Sequence, residues 1–295
     1  MALNRMLSER LVCPACKSKL DFSDETLRCT GCGEVYTVVG NVPVMLKENK
    51  VLEGSSFDYL AHYKKDAEEF DYFEERTGAT EHSERRLREY ILSMIPASAK
   101  SILDIGSGSA WLAKSYVGKK VFVCSTDATI VNTSKALENY PSEYHAAVVA
   151  DAFRLPFADN SFDCIVAAEI IEHVVDPKKF IQELMRVLTP KGMLVVSTPY
   201  KEVIRYALCV HCNQKTPLNS HLHSFDESKL RDLYDRATLD SFAWKAFNNK
   251  LLLFARTFIV LRYFPFGMWK FTDSVANAIF NKRVNIITTA TKKSA

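Results

Sequence analysis

The sequence predicts an α/β protein in which a largely parallel sheet follows a small, cysteine-rich N-terminal module. Three observations lead to this prediction. Two CxxC pairs lie within the first 32 residues. A short apolar strand, 101–105, runs directly into a glycine- and serine-rich loop and then into a helical stretch. The apolar runs 162–168 and 193–198 have the composition of strands buried on both faces, as in parallel sheets.

A chain of 295 residues is long enough for one full α/β domain and a small accessory module. Its 47% hydrophobic and 25% charged residues are ordinary globular composition. The net charge of +3 gives no strong field for nucleic acid, so a small-molecule substrate is favoured. The first residues contain no secretory h-region, and paired cysteines without a signal peptide are typical of metal binding. We therefore expect a cytoplasmic protein.

The N-terminal module, residues 1–47, is predicted to be a zinc ribbon. Its ligands would be the thiolates of Cys13, Cys16, Cys29 and Cys32, which form two pairs. Two such pairs place four sulfur atoms around one tetrahedral Zn²⁺. A module of about forty residues buries too little apolar surface to fold alone, so the metal would stabilise it. The alternative is a redox dithiol pair, which the presence of two spaced pairs disfavours.

Residues 11–46 resemble a zinc-ribbon family that includes the small activator subunit of eukaryotic tRNA, rRNA and release-factor methyltransferases. The resemblance rests on CPxC followed by CxxCG, on Tyr36, and on the hydrophobic run 42–46, VPVML. It implies a structural or substrate-facing role, because four-cysteine zinc has no open coordination position for catalysis.

Residues 48–97 are charged and helix-prone, and we expect a helical linker or lid there. Tyr59, Tyr63, Phe70 and Phe73 recur at helical spacing, which favours one buried helical face. The alternative is that these aromatic residues cover the nucleotide-binding domain that follows. Core packing is the preferred interpretation.

The glycine-rich loop after strand 101–105 is predicted to bind a nucleotide-like cofactor. Gly106 and Gly108 allow a ligand to approach the backbone closely, and the N-terminus of the next helix adds a favourable dipole. This pattern alone also fits a dinucleotide enzyme. A second strand, 121–126, leads into Asp127, whose carboxylate is placed to accept hydrogen bonds from both ribose hydroxyls.

A third block, residues 150–199, resembles the class I S-adenosylmethionine-dependent methyltransferases, in particular the group of ubiquinone-biosynthesis enzymes. Its pattern is D-x-x-x-L-P-F-x-D-x-S-F-D, then E-H-V, then R-V-L-x-P-x-G and a strand. The resemblance implies a Rossmann-like fold with a seven-stranded, mostly parallel sheet over residues 98–295. Within it we expect an active-site insertion at 201–245 and an apolar C-terminal segment with the last strand at 246–295.

The same resemblance implies S-adenosylmethionine as cofactor and assigns residues to it. Asp104 would orient its methionine end, and Asp151 and Ala152 would face its adenine. The third glycine of the usual G-x-G-x-G is Ala110 here, a small departure. The complete predicted cofactor-binding set is Asp104, Gly106, Gly108, Asp127, Asp151, Ala152 and Glu169.

Methyl transfer to oxygen needs alignment of the reactants and a base or metal that removes a proton. The predicted catalytic residues are Glu172 and His173, after the fourth strand, and His223, after the fifth. The order E-x-x-E-H with a later histidine resembles the metal site of small-RNA 3′-end 2′-O-methyltransferases, and a related site in catechol-methylating ubiquinone enzymes. By that match Glu169, Glu172, His173 and His223 would bind a divalent ion such as Mg²⁺, with His221 as substitute for His223.

Two alternatives use the same residues differently. The E-H-V pattern also occurs in metal-free methyltransferases, where Glu172 caps a helix and His173 packs or binds substrate. General-base catalysis by His173 or His223 would then replace the metal. A second zinc site is the other alternative, formed by Cys209, Cys212, His221 and His223.

The stretch 251–269 is apolar but interrupted by Arg256 and Arg262, so it does not have the composition of a transmembrane helix. A buried helix is the preferred interpretation. The alternative is an interfacial segment in peripheral contact with a membrane or with a lipid-like substrate.

The expected function is O-methylation of a small or lipid-linked acceptor with hydroxyl groups, of sugar, catechol or quinol type. The first alternative is methylation of rRNA or tRNA, which the ribbon suggests and the weak basicity disfavours. The second is a non-catalytic, cofactor-binding scaffold, against which the intact Asp104 and Asp127 count.

Overall fold

The structure, a computed structural model, describes residues 3–23, 25–46, 59–210 and 213–294. The strands of these residues are β1 (Leu20–Phe22), β2 (Thr26–Cys29), β3 (Val35–Val39), β4 (Val42–Val44), β5 (Ser101–Ile105), β6 (Phe122–Asp127), β7 (His145–Val149), β8 (Phe162–Ala168), β9 (Leu188–Pro199), β10 (Tyr206–Leu208), β11 (Lys215–Pro217), β12 (Leu239–Asn249) and β13 (Arg283–Lys292). The α-helices are α1 (Arg5–Ser8), α2 (Tyr59–Glu69), α3 (Gly78–Met94), α4 (Trp111–Tyr116), α5 (Ile130–Asn139), α6 (Pro177–Val187), α7 (Glu227–Asp232), α8 (Lys250–Phe254), α9 (Phe258–Leu261) and α10 (Phe266–Ile279).

One large sheet organises the described part of the chain, with the strand order β1-β2-β3-β4-β7-β6-β5-β8-β9-β13-β12. Strands β5 to β9 are parallel, and β13 runs antiparallel between β9 and β12. The seven strands from β7 to β12 confirm the predicted Rossmann-like, mostly parallel sheet. From β5 the chain crosses to β6 and then β7 on one side, and it returns to form β8 on the other side of β5. A ligand crevice is therefore expected at the carboxyl ends of β5 and β8, where the direction of the strand order changes.

Helix α6 shows why the sequence forms these layers. Asp176 precedes it and accepts a hydrogen bond from the backbone of the first turn, and Pro177 occupies the first helical position, where no N–H donor is needed. Phe180, Ile181 and Leu184 recur at helical spacing and are buried. The helix therefore covers the sheet with one apolar face.

The ribbon strands extend the sheet instead of forming a separate one. Strands β1 to β4 pair antiparallel, and β4 then lies parallel to β7 through Val44 and Val149. The ribbon also shares one hydrophobic core with the large domain, which includes Leu7, Leu27, Tyr36, Phe157 and Phe162. A module too small to fold alone is thus stabilised by the apolar area that it buries against its neighbour. A bound metal would add to that stability.

Arg10 fastens the ribbon to the large domain. Its Nε donates to the carbonyl of Ser161 at 3.0 Å, and its guanidinium lies 5.0 Å from the ring centre of Phe122. Beside it, the N–H of Val12 donates to the carbonyl of Pro156 at 2.9 Å. These contacts join residues far apart in sequence, so the two parts form one packed body.

The C-terminal apolar segment differs from its sequence-based expectation. The single buried helix expected over 251–269 is wrong: the chain forms α8 and α9 and begins α10 instead. Arg256 has φ of +55° and Pro265 precedes α10, and both interrupt a continuous helix. Many apolar side chains of this segment are exposed. Among the described residues, no helix has the length and apolar character needed to span a bilayer.

Candidate active site

The glycine-rich loop leaves β5 at the predicted position and requires left-handed backbone. Gly106 and Gly108 have φ of +64° and +46°. A Cβ atom on Gly106 would lie 2.3 Å from Cδ1 of Ile170, so the side chain of Ile170 would also have to move. Ala110, at the position of the usual third glycine, also has a positive φ of +50°, which costs about 1–2 kcal/mol in a non-glycine residue. The backbone thus keeps the shape that the glycine pattern predicts.

Asp127 lies at the end of β6, beside this loop. Its Oδ2 accepts hydrogen bonds from the N–H of Gly108 at 3.2 Å and from Asn132 at 3.3 Å. Its Oδ1 accepts from the N–H and the hydroxyl of Thr129, both at 3.1 Å. Burial raises the pKa of this carboxyl, and these donors oppose the rise. The hydroxyl groups of a bound ribose would compete for Oδ2 with its two longer hydrogen bonds, those from Gly108 and Asn132.

Asp104 is the buried carboxyl closest to the start of the loop. Its Oδ2 has no hydrogen-bond partner among the described residues, although the side chain is only 1% exposed. Burial, with a contribution from the charge of Asp127, raises the pKa of Asp104 to about 7. An unpaired buried carboxylate oxygen fits the α-ammonium group of S-adenosylmethionine, which would supply the missing donor and charge.

The adenine-side residues lie at the tip of β7, the neighbouring strand. Asp151 accepts a hydrogen bond from the N–H of Phe153 at 2.9 Å, which shapes the turn that contains Ala152. The N–H of Ala150 donates to the carbonyl of Asp127 at 3.0 Å. The predicted ribose and adenine residues therefore lie on adjacent strand ends.

We expect the affinity for S-adenosylmethionine to increase with pH through about 7. The ionised fraction of a carboxyl with a pKa of about 7 rises about tenfold between pH 6 and pH 8. Only the ionised Asp104 pairs with the ligand's ammonium group, which itself begins to lose its proton near pH 8, so the dissociation constant should fall about fourfold over this interval. Isothermal titration calorimetry at the two pH values measures this change.

The matched control is Asp104→Asn, which keeps the shape and cannot ionise. It should bind more weakly at pH 8 and lose the pH dependence. For the ligand-free protein the sign is opposite: a raised carboxyl pKa means that stability present below about pH 4 is lost as pH rises to about 7. A pH-independent affinity in the unmodified protein would remove Asp104 from the ammonium site.

The acceptor side of the crevice is a group of one buried acid and two half-buried imidazoles, Glu172 and His173 after β8 and His221 after β11. Ligand atoms of Glu172, His173 and His221 lie within 4.8 Å of one another. Glu172 Oε1 is 3.9 Å from His173 Nε2, and its Oε2 accepts a hydrogen bond from Thr198 at 2.9 Å. His221 Nδ1 lies 2.5 Å from an oxygen of Glu202. One carboxylate and two imidazoles are also a donor set that fits a divalent cation.

Burial sets the protonation of this group. It raises the pKa of Glu172 well above the ordinary carboxyl range, and the charge of Glu169 adds to the rise. Burial lowers the pKa of His173 to about 4, with a further contribution from the neighbouring His221. His173 is therefore a neutral base at physiological pH, and its buried Nδ1 makes no hydrogen bond among the described residues.

Two sequence-predicted residues lie outside this group. Glu169 accepts a hydrogen bond from Ser197 at 2.9 Å, and burial raises its pKa to about 7. His223 places Nε2 at 3.0 Å from the carbonyl of Val174. Its backbone N–H contributes instead, donating to the carbonyl of Glu172 at 3.1 Å. The structure thus places the side chain of His221, the predicted substitute, beside Glu172 and His173. The side chain of His223 does not join them.

Helix α2 and the turn after it cover both halves of the crevice. The ring of Tyr63 lies 6.4 Å from that of His173, and burial together with the charges of Glu172 and Asp127 raises the Tyr63 pKa. A Cβ atom on Gly108 would lie 3.2 Å from the ring of Tyr72.

This arrangement differs from the single buried face expected for the helix. Phe70 is exposed, and Phe73 packs against the core that contains Ala110. The side chain of Tyr59 lies outside the described residues. Sequence reasoning missed Tyr72, because it follows the end of α2 and belongs to no helical period.

The four ribbon cysteines converge as predicted. The sulfur atoms of Cys13 and Cys32 are 3.7 Å apart, and those of Cys16 and Cys29 are 3.4 Å apart. Four sulfur atoms at about 2.3 Å from one Zn²⁺ would be about 3.8 Å from each other. Cys29 also accepts hydrogen bonds from the N–H groups of Gly31 and Cys32. The residues fit a structural zinc ion.

The alternative second zinc site is only partly described. Cys212 lies outside the described residues. Cys209 is half-buried in the hairpin of β10 and β11. His221 and His223 face Glu202 and the Val174 carbonyl, respectively.

Comparison with known proteins assigns both parts. Residues 103–196 match the family model described as a methyltransferase domain, and residues 4–41 match that of Trm112p-like proteins. The chain is 33% identical over 143 residues to the ubiquinone/menaquinone biosynthesis C-methyltransferase UbiE of Hahella chejuensis, covering 45% of this chain and 57% of that one. The chain thus spans about half the length of such curated relatives.

Two solved structures share the fold. The cyclase SpnF superposes with a TM-score of 0.51 at 20% identity, over 71% of this chain and 81% of that chain. A complex between the Haloferax volcanii Trm112 methyltransferase activator and a proposed methyltransferase superposes with a TM-score of 0.51 at 17% identity. The match covers 81% of this chain and 96% of that chain. The chain therefore joins an N-terminal segment that is similar to Trm112p-like proteins to a larger part that is similar to methyltransferase domains and has a Rossmann-like fold.

Proposed function

We propose that this protein transfers the methyl group of S-adenosylmethionine to a hydroxyl oxygen of a small or lipid-linked acceptor, of catechol, quinol or sugar type. The observation that supports this most is the position of a neutral, half-buried histidine beside the cofactor crevice. Strands β5 and β8 are neighbours, with Ile105 opposite Ala167. The glycine-rich loop and the group around His173 therefore leave the same edge of the sheet.

The chain's residues supply binding and proton transfer. S-adenosylmethionine, when bound, supplies an electrophilic methyl group on its sulfonium. His173 accepts the proton of the acceptor hydroxyl as the oxygen–carbon bond forms and the sulfur–carbon bond breaks. Glu172 lies 3.9 Å away; burial favours its protonated form in the free protein, and the positive charge of the imidazolium that results would lower its pKa. Tyr63 and the loop that contains His221 exclude water from the reacting atoms.

The test uses purified protein, methyl-labelled S-adenosylmethionine and a small-molecule extract from cells that lack this protein. We expect label in a small organic product, in which NMR of the labelled carbon shows a methoxy group. The control is Asp127→Ala, which should lose cofactor affinity and produce no labelled product. If the unmodified protein binds S-adenosylmethionine but labels no small molecule in any extract, the proposed function is refuted.

Methylation at carbon is the second candidate, favoured by the similarity to the C-methyltransferase of Hahella chejuensis. Removal of a proton from a quinol hydroxyl also increases electron density on the ring carbons, so the same base serves both reactions. A ring methyl in place of a methoxy group in the labelled product would identify this case.

RNA methylation is favoured only by the Trm112p-like domain. In this chain that domain packs against its own methyltransferase domain through Arg10 and β4. With total cellular RNA in place of the small-molecule extract, label that disappears with ribonuclease would establish the RNA activity instead, and a salt titration of RNA affinity would count the phosphate contacts.

A further inference from the structure

The helices between β12 and β13 carry apolar side chains on their outer surface. We call this set the apolar face, and it consists of Phe254, Ile259, Val260, Tyr263, Met268, Phe271, Val275, Ile279 and Phe280. Phe254 is 84% exposed, Phe271 72% and Ile279 67%. Single exposed apolar residues are common, but so many within one short segment indicate an interaction site.

Helix α10 has largely reversed polarity: apolar residues face outward, and Asp273 and Asn277 lie inward together with Trp269. Its buried positions include Asp273 and Asn277, and its exposed stripe includes Phe271, Val275 and Ile279 at helical spacing. Asp273 accepts hydrogen bonds from the backbone N–H groups of β12, from Asn249 at 2.7 Å among others. The polar groups of the inward face thus have hydrogen-bond partners within the protein. The outward face is apolar, like the faces that other helices bury in a core.

Two arginines of α3 hold part of the segment in place, and one of them is fully buried. Arg86, fully buried, donates to the carbonyls of Leu261 at 2.6 Å and Phe264 at 2.8 Å. Arg85 donates to the carbonyl of Arg262 at 2.8 Å. The backbone around the apolar face is therefore anchored, and its exposure is a fixed feature of the fold.

The charge of this segment identifies its partner. Residues 250–282 contain five basic residues and one acidic residue, Asp273, which is buried. The basic residues are Lys250, Arg256, Lys270, Arg262 and Lys282. A second copy of the same face would repel these charges, whereas an anionic surface with an apolar interior would attract both kinds of side chain.

We propose that the apolar face binds the surface of bilayers that contain anionic phospholipids, with α10 lying in the interface. Apolar side chains on one side of a helix, flanked by Lys and Arg, are the composition of interfacial helices. Each basic residue near an anionic leaflet contributes about fivefold to affinity. This inference concerns location and does not depend on the proposed reaction.

The experiment measures sedimentation of the full-length protein with vesicles. One set contains phosphatidylcholine only, and the other contains three parts phosphatidylcholine to one part phosphatidylglycerol. We expect binding to the anionic vesicles and at least about tenfold weaker binding to the neutral ones. The double variant Phe271→Glu with Ile279→Glu should weaken binding at least about tenfold, because it places two carboxylates in the interface.

Two further variants complete the test. Phe22→Glu changes a 46% exposed apolar residue on β1, at the opposite edge of the sheet from β12, and should bind like the unmodified protein. Arg256→Gln with Arg262→Gln should weaken binding to anionic vesicles only. Circular dichroism should show all variants folded, because every substituted side chain is exposed.

Three results would overturn the proposal. They are no binding of the unmodified protein to anionic vesicles, equal loss of binding in Phe22→Glu, and full binding by the variant of Phe271 and Ile279. The unmodified protein could instead dimerise as its concentration rises and fail to bind vesicles. If the double variant of Phe271 and Ile279 then abolished the dimer, the face would be assigned to self-association.

Discussion

Replacing His173 with glutamine should lower kcat by about 100- to 10,000-fold, the usual contribution of a general base, while the affinity for S-adenosylmethionine stays within about twofold. Glutamine keeps the approximate volume and a polar end but accepts no proton at neutral pH. His173 lies after β8 and not at the glycine-rich loop, so cofactor contacts should persist. Single-turnover kinetics, together with calorimetry of cofactor binding, separate the two effects.

His223→Gln is the matched comparison. His223 bonds through Nε2 to a backbone carbonyl and lies outside the group formed by Glu172, His173 and His221. We expect it to lower kcat less than about tenfold, through a small displacement of the loop. An active His173→Gln enzyme would exclude the base role, and a loss in His223→Gln equal to that of His173→Gln would restore His223 to the catalytic set.

Replacing Cys29 with serine should remove the bound zinc and lower the Tm of the whole chain by about 10 °C or more. Structural zinc sites bind with an apparent free energy of about 10–16 kcal/mol, and loss of only about 4 kcal/mol shifts the Tm of a domain this size by about 10 °C. The effect should extend beyond the ribbon, because β4 pairs with β7 and the two parts share one core. Elemental analysis and differential scanning calorimetry measure both quantities.

Cys209→Ser is the control for this experiment, and it also tests the second zinc site. Cys209 lies in the hairpin of β10 and β11, away from the four-cysteine cluster. We expect one zinc ion per chain in the unmodified protein and in Cys209→Ser. Two zinc ions that become one in Cys209→Ser would establish the second site. Retention of both zinc and Tm in Cys29→Ser would contradict the structural role of the cluster.

Local patterns predicted the parts of the fold that local physics determines. The spacing of Cys13 and its three partners, the glycine loop after β5, and the buried runs of β8 and β9 each depend on a few adjacent residues. The resemblance to class I methyltransferases implied Asp104, and the position of Asp127 at the end of the strand after the loop implied its role. The structure places both carboxyls beside the glycine-rich loop, and their roles in cofactor binding stay predictions.

Features that depend on tertiary packing were not predictable in the same way. His221 and His223 differ by two positions in a loop without periodicity, and only the docking of that loop on the Glu172 carbonyl decides which side chain joins the group. The reversed polarity of α10 depends on hydrogen bonds from Asp273 to β12, which lies before it in the chain. Such long-range partners leave no local signal in the sequence.

The two tyrosines over the crevice have a kinetic consequence. One short stretch of chain places Tyr72 against Gly108, where the methyl donor is expected, and Tyr63 against His173, where the acceptor is expected. Any displacement of this stretch that admits one reactant also uncovers the place of the other. Entry of the donor and entry of the acceptor are thereby linked, and steady-state rates should follow a sequential mechanism in which both molecules bind before either product leaves.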